Sequence, residues 1–250
     1  MNLILIHPHE LDSAGRVRLG AERAEHIRTV LKATPGKPLK IGLLNGSKGT
    51  GTVEEISGKE VVLRCEFEET IPPRPSVDLL LALPRPKVMK RLWAQLAALG
   101  VGRIILTNAE KVERYYFDSH VLEPDFYTAR LIEGLQQAGD TLLPEVQIVR
   151  QLKPFLEDEK FPNIGNRLLA DPSGTRTVFQ WLEESGEKFP MVGNVLIAVG
   201  PEGGWTPYEL ELFAAHGFQA VHVGPRILRT DTACVALLSL LTLVSGANEN

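Results

Sequence analysis

Two glycine-marked turns in the last quarter of the chain combine residue types that could bind a ligand. The first turn is Gly200-Pro-Glu-Gly-Gly204 and the second turn is Gly224-Pro-Arg-Ile-Leu-Arg229. Each turn leads from the end of a short apolar strand into the start of a helix. Open α/β sheets bind their ligands at such positions, because unpaired backbone N–H groups collect there. The two turns can therefore face each other and hold one ligand between them.

The first turn joins a rigid residue to flexible ones. Proline fixes one backbone dihedral, while the glycines permit positive φ and a close approach of a ligand to the backbone. Glu202 can point into the site as a hydrogen-bond acceptor; the alternative is an ordinary strand-to-helix loop with a solvated glutamate. The chain has neither a G-x-G-x-x-G fingerprint after a strand nor a G-x-x-x-x-G-K-[ST] loop, which argues against a phosphate cradle.

The second turn and the residues after it bring two cations and an acid to the start of the last helix. Arg226 and Arg229 could each bind a phosphate or polarise a carbonyl group. A cation near the positive end of a helix dipole is unfavourable, so these arginines call for a partner. Thr230 or Asp231 could serve simply as the N-cap, because both residue types are favourable there without any further function.

The elements that position these turns indicate an α/β domain. It follows the proline-rich connector Ile71-Pro-Pro-Arg-Pro75, which excludes a helix or a central strand. Apolar strands then alternate with helices, as in a parallel sheet covered by helices. The helix after the first turn begins with Thr206-Pro-Tyr-Glu209, the pattern of a capping box with proline at the first helical position. The predicted strands are 77–83, 101–107, 146–149, 167–170, 194–199 and 219–223, and the predicted helices are 87–99, 125–138, 175–184, 206–217 and 230–245.

The residues before the connector have mostly β character. Asn45-Gly46 and Ser57-Gly58 are turn signals between short strands, which predicts a small β-barrel. We therefore expect a barrel domain at 1–72 and a second domain at 73–250. The predicted strands of the barrel are 3–6, 38–44, 51–56 and 60–67, with one helix at 21–32.

Composition and charge favour a folded, cytoplasmic protein. The chain has 250 residues, 44% of them hydrophobic, and a net charge of −4. Basic residues nevertheless outnumber acidic ones from 1 to 48 and from 84 to 114, so one face could bind a polyanion; solvated helix faces are the alternative. Cys65 and Cys234 lie in apolar runs and are expected to be core residues in a reducing compartment. From the sequence patterns we expect no signal peptide, no membrane span and no metal site.

Together, the segments V-G-P-E-G-G-W-T-P-x-E and L-R-T-D-T-A resemble the C-terminal signature of the SPOUT-superfamily rRNA methyltransferases that methylate nitrogen 3 of a uridine in small-subunit rRNA. The resemblance implies a PUA-like N-terminal β-barrel and a C-terminal SPOUT domain, a parallel sheet with helices and a deep trefoil knot. It also implies S-adenosyl-L-methionine as cofactor, 16S rRNA or the small ribosomal subunit as partner, and a homodimer with its site near the interface. Neither a bound metal nor association with a membrane is expected.

The resemblance also implies roles for single residues. Arg229 would stabilise the negative oxygen of the uridine, and either Glu202 or Asp231 would take its proton. Within the two basic segments, the candidates for phosphate contacts are Arg16, Arg18, Arg23, Arg28, Arg85, Lys87 and Arg91. The implied cofactor-binding residues are Ala170, Asp171, Ala198, Val199, Gly200, Pro201, Gly203, Gly204, Val223, Gly224, Arg226, Ile227, Leu228, Thr230 and Ala233.

Three positions depart from the family pattern. Asp231 replaces a glutamate, and Arg85 or Lys87 must stand in for a lysine that usually follows the first strand of the domain. The middle helix, Gly134-Leu-Gln-Gln-Ala-Gly-Asp140, keeps a glutamine of the pattern E-Q-S-x-R but lacks its arginine. Because the last two departures lie on the RNA side, a related RNA target or a weakened activity stays open. A SPOUT enzyme with another acceptor stays open as well, as does a non-catalytic RNA-binding or ribosome-assembly protein.

Overall fold

The computed structural model describes residues 3–158, 164–184 and 194–245 and divides the chain into two units. The first unit contains Met1–Arg74 and Ile132–Leu143, and the second contains Pro75–Leu131 and Pro144–Asn250. The α/β fold class expected from the sequence is confirmed: a curled N-terminal sheet precedes a parallel sheet with helices. The trefoil knot and the separate roles of the two domains stay predictions.

The first unit is built on a five-stranded sheet with one helix. Its strands are β1 (Ile4–Ile6), β2 (Arg16–Leu19), β3 (Pro38–Leu43), β4 (Lys48–Ser57) and β5 (Glu60–Phe67), and its helix is α1 (Ala21–Thr29). The sheet order is β1-β3-β4-β5-β2, with β1 parallel to β3 and the other pairs antiparallel. Alternate apolar residues of these strands and of α1 form a shared core that includes Leu19, Ile27, Ile41 and Leu63.

Residues 132–143 join the first unit, although the sequence placed them in the second domain. The amide of Leu3 donates to the Gln136 carbonyl at 3.1 Å, and the amide of Asn45 donates to the Thr141 carbonyl at 2.8 Å. The Thr141 side chain is fully buried, and its hydroxyl donates to the Gly46 carbonyl at 2.5 Å. These bonds join residues far apart in the chain, which local sequence patterns do not reveal.

The second unit contains a seven-stranded sheet with helices. Its strands are β6 (Val77–Ala82), β7 (Arg103–Thr107), β8 (Glu145–Val149), β9 (Ile164–Ala170), β10 (Arg176–Thr177), β11 (Asn194–Val199) and β12 (Gln219–His222). The strand order is β10-β12-β9-β11-β6-β7-β8, and every neighbouring pair is parallel. All six residues of β6 are buried, as expected for a strand covered on both faces.

The helices of this unit lie between its strands in the chain. They are α2 (Pro86–Ala98), α3 (Pro124–Ala138, which enters the first unit at Ile132), α4 (Leu152–Asp158), α5 (Val178–Glu184), α6 (Pro207–Ala215) and α7 (Thr230–Ser245). The sequence patterns did not predict β2, α4 or β10. The helix predicted at 175–184 begins too early, because its first residues form β10 and α5 begins only at Val178. Short 3-10 turns at Arg114–Asp118 and His120–Leu122 were not predicted either. Within the described ranges, no helix is long and apolar enough to cross a membrane.

Candidate functional site

A cavity of about 240 Å³ lies at the carboxyl ends of three adjacent strands of the second unit, β12, β9 and β11. The loop after each of these strands forms part of its wall, and the first two turns of α7 complete it. Parallel strands place their carboxyl ends at one edge of a sheet, so three loops converge there. The cavity is lined by Ala170, Asp171, Pro172, Val199, Gly200, Pro201, Glu202, Gly204, Trp205, Val221, His222, Val223, Gly224, Pro225, Arg226, Ile227, Leu228, Thr230, Ala233 and Leu237.

The first turn follows β11 and is shaped by its glycines and by Trp205. Gly204 has φ +69°, a conformation that side chains with a Cβ rarely adopt, and its amide donates to the Pro201 carbonyl at 2.8 Å. A Cβ on Gly200 would lie 3.0 Å from Nε1 of Trp205. The indole of Trp205 is buried and packs edge-to-face against Phe213, with ring centroids 4.8 Å apart. The absence of a side chain at Gly200 therefore lets this buried ring close over the turn.

A capping box begins the helix after the first turn, as the sequence predicted. The Thr206 amide donates to Glu209 Oε2 at 2.8 Å, and the Glu209 amide donates to the Thr206 hydroxyl oxygen. Glu209 is buried, and its other oxygen, Oε1, accepts a hydrogen bond from the Glu110 amide at 2.8 Å. Nearby, Nζ of Lys111 donates to the Gly203 carbonyl at 2.7 Å. These two bonds attach the segment after β7 to the first turn.

The second turn follows β12 and leads into α7. Ring nitrogen Nδ1 of His222 lies 3.1 Å from the Gly224 carbonyl oxygen. A Cβ built on Gly224 would meet no protein atom within 4 Å, so open space adjoins this residue. Ile227 is 85% exposed although its side chain is apolar, and it lines the cavity. The second turn thus offers an apolar side chain and an unobstructed backbone to a ligand.

The third wall is the loop Ala170-Asp-Pro-Ser-Gly174 after β9. The Asp171 amide donates to the Val221 carbonyl at 3.0 Å, which joins this loop to β12. Oδ1 of Asp171 accepts hydrogen bonds from the Ser173 amide at 2.9 Å and from its hydroxyl at 2.6 Å. A Cβ on Gly174 would lie 2.9 Å from the Val221 nitrogen, so this glycine allows the close packing. These hydrogen bonds and the close packing at Gly174 hold the loop in place.

The two candidate acids have different surroundings. Glu202 is exposed, lines the cavity and accepts a hydrogen bond from the Arg85 amide at 3.3 Å. Asp231, in the first turn of α7, forms an ion pair with Arg91, whose Nη2 lies 3.3 Å from Oδ2. Its other oxygen accepts the Thr232 amide at 2.9 Å. Of the two acids, Glu202 is therefore the residue that lines the cavity, whereas Asp231 does not line it and is paired with a cation.

Most of the residues that were expected to bind the cofactor line the cavity. The exceptions are Ala198, which is fully buried inside β11, and Gly203, whose carbonyl accepts from Lys111; neither lines the cavity. Arg229 is exposed. In the sequence it lies between two cavity-lining residues, Leu228 and Thr230, but it does not line the cavity itself. The sequence interpretation missed five lining positions. Four lie in or next to the motifs it used, and one lies a helical turn beyond Ala233: Trp205, Val221, His222, Pro225 and Leu237.

The arginines of the first unit that were expected at phosphates all have protein partners. Arg16 pairs with Asp12 at 3.2 Å and Arg18 with Glu60 at 2.9 Å. The remaining two pairs are the Arg23 guanidinium with the Glu10 carboxylate and the Arg28 guanidinium with the Gly58 carbonyl. The hydrogen bond from Arg23 is the main reason that the pKa of Glu10 falls from 4.5 to about 2. Each arginine keeps further N–H groups for other partners.

The cations expected at phosphates in the second unit are on α2 and just before it. Arg85 and Lys87 are exposed, and Arg91 is exposed as well but engaged with Asp231. Among the residues that the structure describes, no group of His, Cys, Asp and Glu side chains could hold a metal ion.

Comparison with known proteins identifies relatives over nearly the whole chain. Residues 72–242 match the family model described as an RNA methyltransferase domain. The chain is 32% identical to the ribosomal RNA small subunit methyltransferase E of Treponema pallidum, over 96% of this chain and 90% of that protein. It is 28% identical to the ribosomal RNA small subunit methyltransferase E 1 of Borreliella burgdorferi, over 94% of this chain and 95% of that protein.

Solved structures share the fold. A Legionella pneumophila methyltransferase with bound S-adenosylmethionine superposes with a TM-score of 0.75 at 24% identity, covering 97% of this chain and 98% of that one. The ribosomal RNA small subunit methyltransferase E of Neisseria gonorrhoeae, bound to S-adenosylmethionine, gives a TM-score of 0.75 at 22% identity, with 97% of each chain covered.

Proposed function

The chain belongs to the ribosomal RNA small subunit methyltransferase E family, and we propose that it uses S-adenosyl-L-methionine to methylate nitrogen 3 of a uridine in 16S rRNA. The observation that carries this proposal is that the first turn, the second turn and the loop after β9 line one cavity. The signature segments that resemble the SPOUT enzymes are the ones that line this cavity.

The cavity suits a ligand with both charges and apolar parts. Asp171 and Glu202 supply negative charge, Arg226 supplies positive charge, and valine, isoleucine and leucine side chains form much of the rest of the wall. S-adenosylmethionine carries a sulfonium, an ammonium and a carboxylate group. Gly224 adds open space beside the backbone, where a ligand can approach closely. We assign the cavity-lining residues of the three loops to cofactor binding.

The bound cofactor supplies an electrophilic methyl group. The protein must align the uridine with that group, exclude water, and remove the proton from nitrogen 3, an imide nitrogen between two carbonyl groups. We assign removal of this proton to Glu202, because Glu202 lines the cavity whereas Asp231 does not. Asp231 is instead assigned a positioning role, because Arg91 already holds its carboxylate. Arg229 would stabilise negative charge on a uridine oxygen, since it is exposed and cationic at the start of α7.

We assign RNA binding to cations of both units, which are exposed except for the half-buried Arg23. Arg85 and Lys87 would contact phosphates, as would Arg91 and the arginines of the first unit through N–H groups that their partners leave available. Neutralising Arg85 and Lys87 together is expected to reduce the slope of log K against log salt by about 1 to 2. An unchanged slope would contradict their assignment.

The proposal includes a homodimer that acts in the cytoplasm, with residues 1–72 as a PUA-like RNA-binding domain. The exposed, apolar side chain of Ile227 beside the cavity is compatible with cover from another chain or from the substrate. Light scattering of the purified protein tests the assembly directly. A mass equal to a single chain would contradict the dimer without affecting the assignment of the cavity.

Two measurements test the proposed activity. Calorimetric titration with S-adenosylmethionine should show binding, whereas a non-catalytic RNA-binding protein with this fold should show none. Small-subunit rRNA treated with the protein and the cofactor is then digested to nucleosides and analysed by mass spectrometry. We expect 3-methyluridine. A methylated ribose or a different methylated base would show a different acceptor and contradict the proposal.

A further inference from the structure

The segment after β7 carries an exposed aromatic side chain that the assignments above do not use. Tyr115 is 65% exposed, an unusual state for a large aromatic ring in a folded unit. Its ring meets that of Tyr116 edge-to-face, with centroids 4.9 Å apart and an angle of 83° between the planes. This arrangement is a favourable one for two aromatic rings, so Tyr116 holds Tyr115 in a defined orientation.

The segment is anchored on both sides of Tyr115. Before it, the Glu110 amide donates to buried Glu209, and the Lys111 ammonium donates to the Gly203 carbonyl of the first turn. After it, Phe117 is buried, and the guanidinium of Arg150 lies 5.3 Å from the centre of the Phe117 ring. The exposure of Tyr115 is therefore a property of a fixed segment attached to the cavity wall.

Charged groups of the site lie around the tyrosine pair. The pKa of Tyr116 is raised chiefly by partial burial and further by Tyr115 and Glu202, whereas Arg85 lowers it. Glu202, which lines the cavity, thus acts electrostatically on the same hydroxyl as Arg85. Arg114, next to Tyr115 in the chain, is exposed. The segment also carries exposed glutamates, so its charge is mixed, but between 84 and 114 basic residues outnumber acidic ones by seven to two.

An exposed, fixed aromatic ring beside cations is the arrangement with which proteins stack unpaired bases of RNA. The proposed reaction requires such a base, because nitrogen 3 of uridine lies on the Watson–Crick edge and is shielded in a duplex. Enzymes that react at a base in this position must take it out of its stack, and the lost stacking has to be replaced. We propose that Tyr115 is a stacking platform for a base of the unpaired RNA strand that approaches the cofactor cavity; this inference rests on the proposed function.

Binding of unmodified 16S rRNA, transcribed in vitro, tests the proposal. The dissociation constant is measured by filter binding at physiological salt for the wild type, Tyr115→Ala and Tyr115→Phe. Tyr208→Ala is the matched control, because Tyr208 is 55% exposed on α6 of the same unit and does not line the cavity. We expect Tyr115→Ala to raise the constant by about fivefold or more, as for the loss of one stacked base. Tyr115→Phe and Tyr208→Ala should stay within about twofold of the wild type, because the phenylalanine ring still stacks.

Three results would overturn the proposal: wild-type affinity in Tyr115→Ala, an equal loss in Tyr208→Ala, or no recovery of affinity in Tyr115→Phe. Calorimetry with S-adenosylmethionine is run on each variant, and we expect unchanged cofactor affinity. Formation of 3-methyluridine is assayed separately with the wild type. Its absence would refute the proposed function, whereas the binding constants decide the role of Tyr115 by themselves.

Discussion

The hydroxyl of Thr230 donates a hydrogen bond to the carbonyl oxygen of Gly200 at 3.2 Å. Thr230 is the buried first residue of α7, and Gly200 begins the first turn after β11. Both residues line the cavity. This bond therefore joins the two segments that the sequence singled out, at the point where both would meet a bound ligand.

Thr230→Val is expected to weaken cofactor binding by removing this bond while keeping the size of the side chain. One buried hydrogen bond contributes about 1 kcal/mol, so the dissociation constant of S-adenosylmethionine should rise about fivefold. Calorimetric titration measures it. Thr242→Val is the matched control, because the Thr242 hydroxyl bonds the Leu238 carbonyl within the same helix. Equal dissociation constants for Thr230→Val and the wild type would show that this hydrogen bond does not contribute to cofactor binding.

Gly224→Ala tests whether a ligand approaches the backbone of the second turn. The new methyl group would meet no protein atom within 4 Å, so the thermal midpoint should stay at the wild-type value. If the cofactor packs against Gly224, its dissociation constant should rise about tenfold, because overpacking typically costs about 1–3 kcal/mol. Calorimetry and thermal unfolding are measured on the same sample. Unchanged affinity would show that the ligand does not contact this residue.

Local patterns were sufficient to predict much of the second unit. The helix α6 could be predicted because Thr206, Pro207 and Glu209 carry its capping signals within four residues. After Asn194, the strand β11 is a continuous apolar run followed by a glycine, and both features are visible without any tertiary context. By contrast, β10 has two residues and α4 has seven, too few for a periodic pattern to be detected.

The contacts that complete the site could not be predicted in this way. Arg91 was expected to contact an RNA phosphate, and Asp231 was one of two acids expected to take the uridine proton. The two residues form an ion pair with each other, although they are 140 positions apart in the chain. The second bond of Glu209, to the Glu110 amide, joins residues 99 positions apart. Such pairs depend on which faces of α2, α6 and α7 meet in the folded unit. Tyr115 was overlooked for the same reason, because only the structure shows its exposure.

Glu209→Ala should destabilise the second unit, because it leaves the buried amide of Thr206 and the part-buried amide of Glu110 without their acceptor. We expect a loss of about 3 kcal/mol in the free energy of unfolding. All three tryptophans of the chain belong to this unit, so urea unfolding followed by their fluorescence measures the change. Glu211→Ala, at an exposed position of the same helix, should have little effect. Similar losses in the two variants would contradict the structural role of Glu209.

Glu202→Gln and Asp231→Asn separate the two candidate acids. Removal of a general base typically lowers the rate by about 100-fold or more, so we expect about this loss of kcat in Glu202→Gln. Asp231→Asn should lower kcat less, by about tenfold, because the Asp231 carboxylate pairs with Arg91 and acts by positioning. Methyl transfer to small-subunit rRNA is measured at saturating cofactor. The reverse order of the two effects would transfer the role of base to Asp231.

Nucleoside analysis of 16S rRNA from cells with and without the protein tests the central claim most directly. The rRNA of cells that lack the protein should have lost 3-methyluridine, and the purified protein with S-adenosylmethionine should restore it to their small subunits. Glu202→Gln should restore it far more slowly. An unchanged content of 3-methyluridine in cells that lack the protein, or the transfer of methyl groups to another nucleoside, would contradict the account.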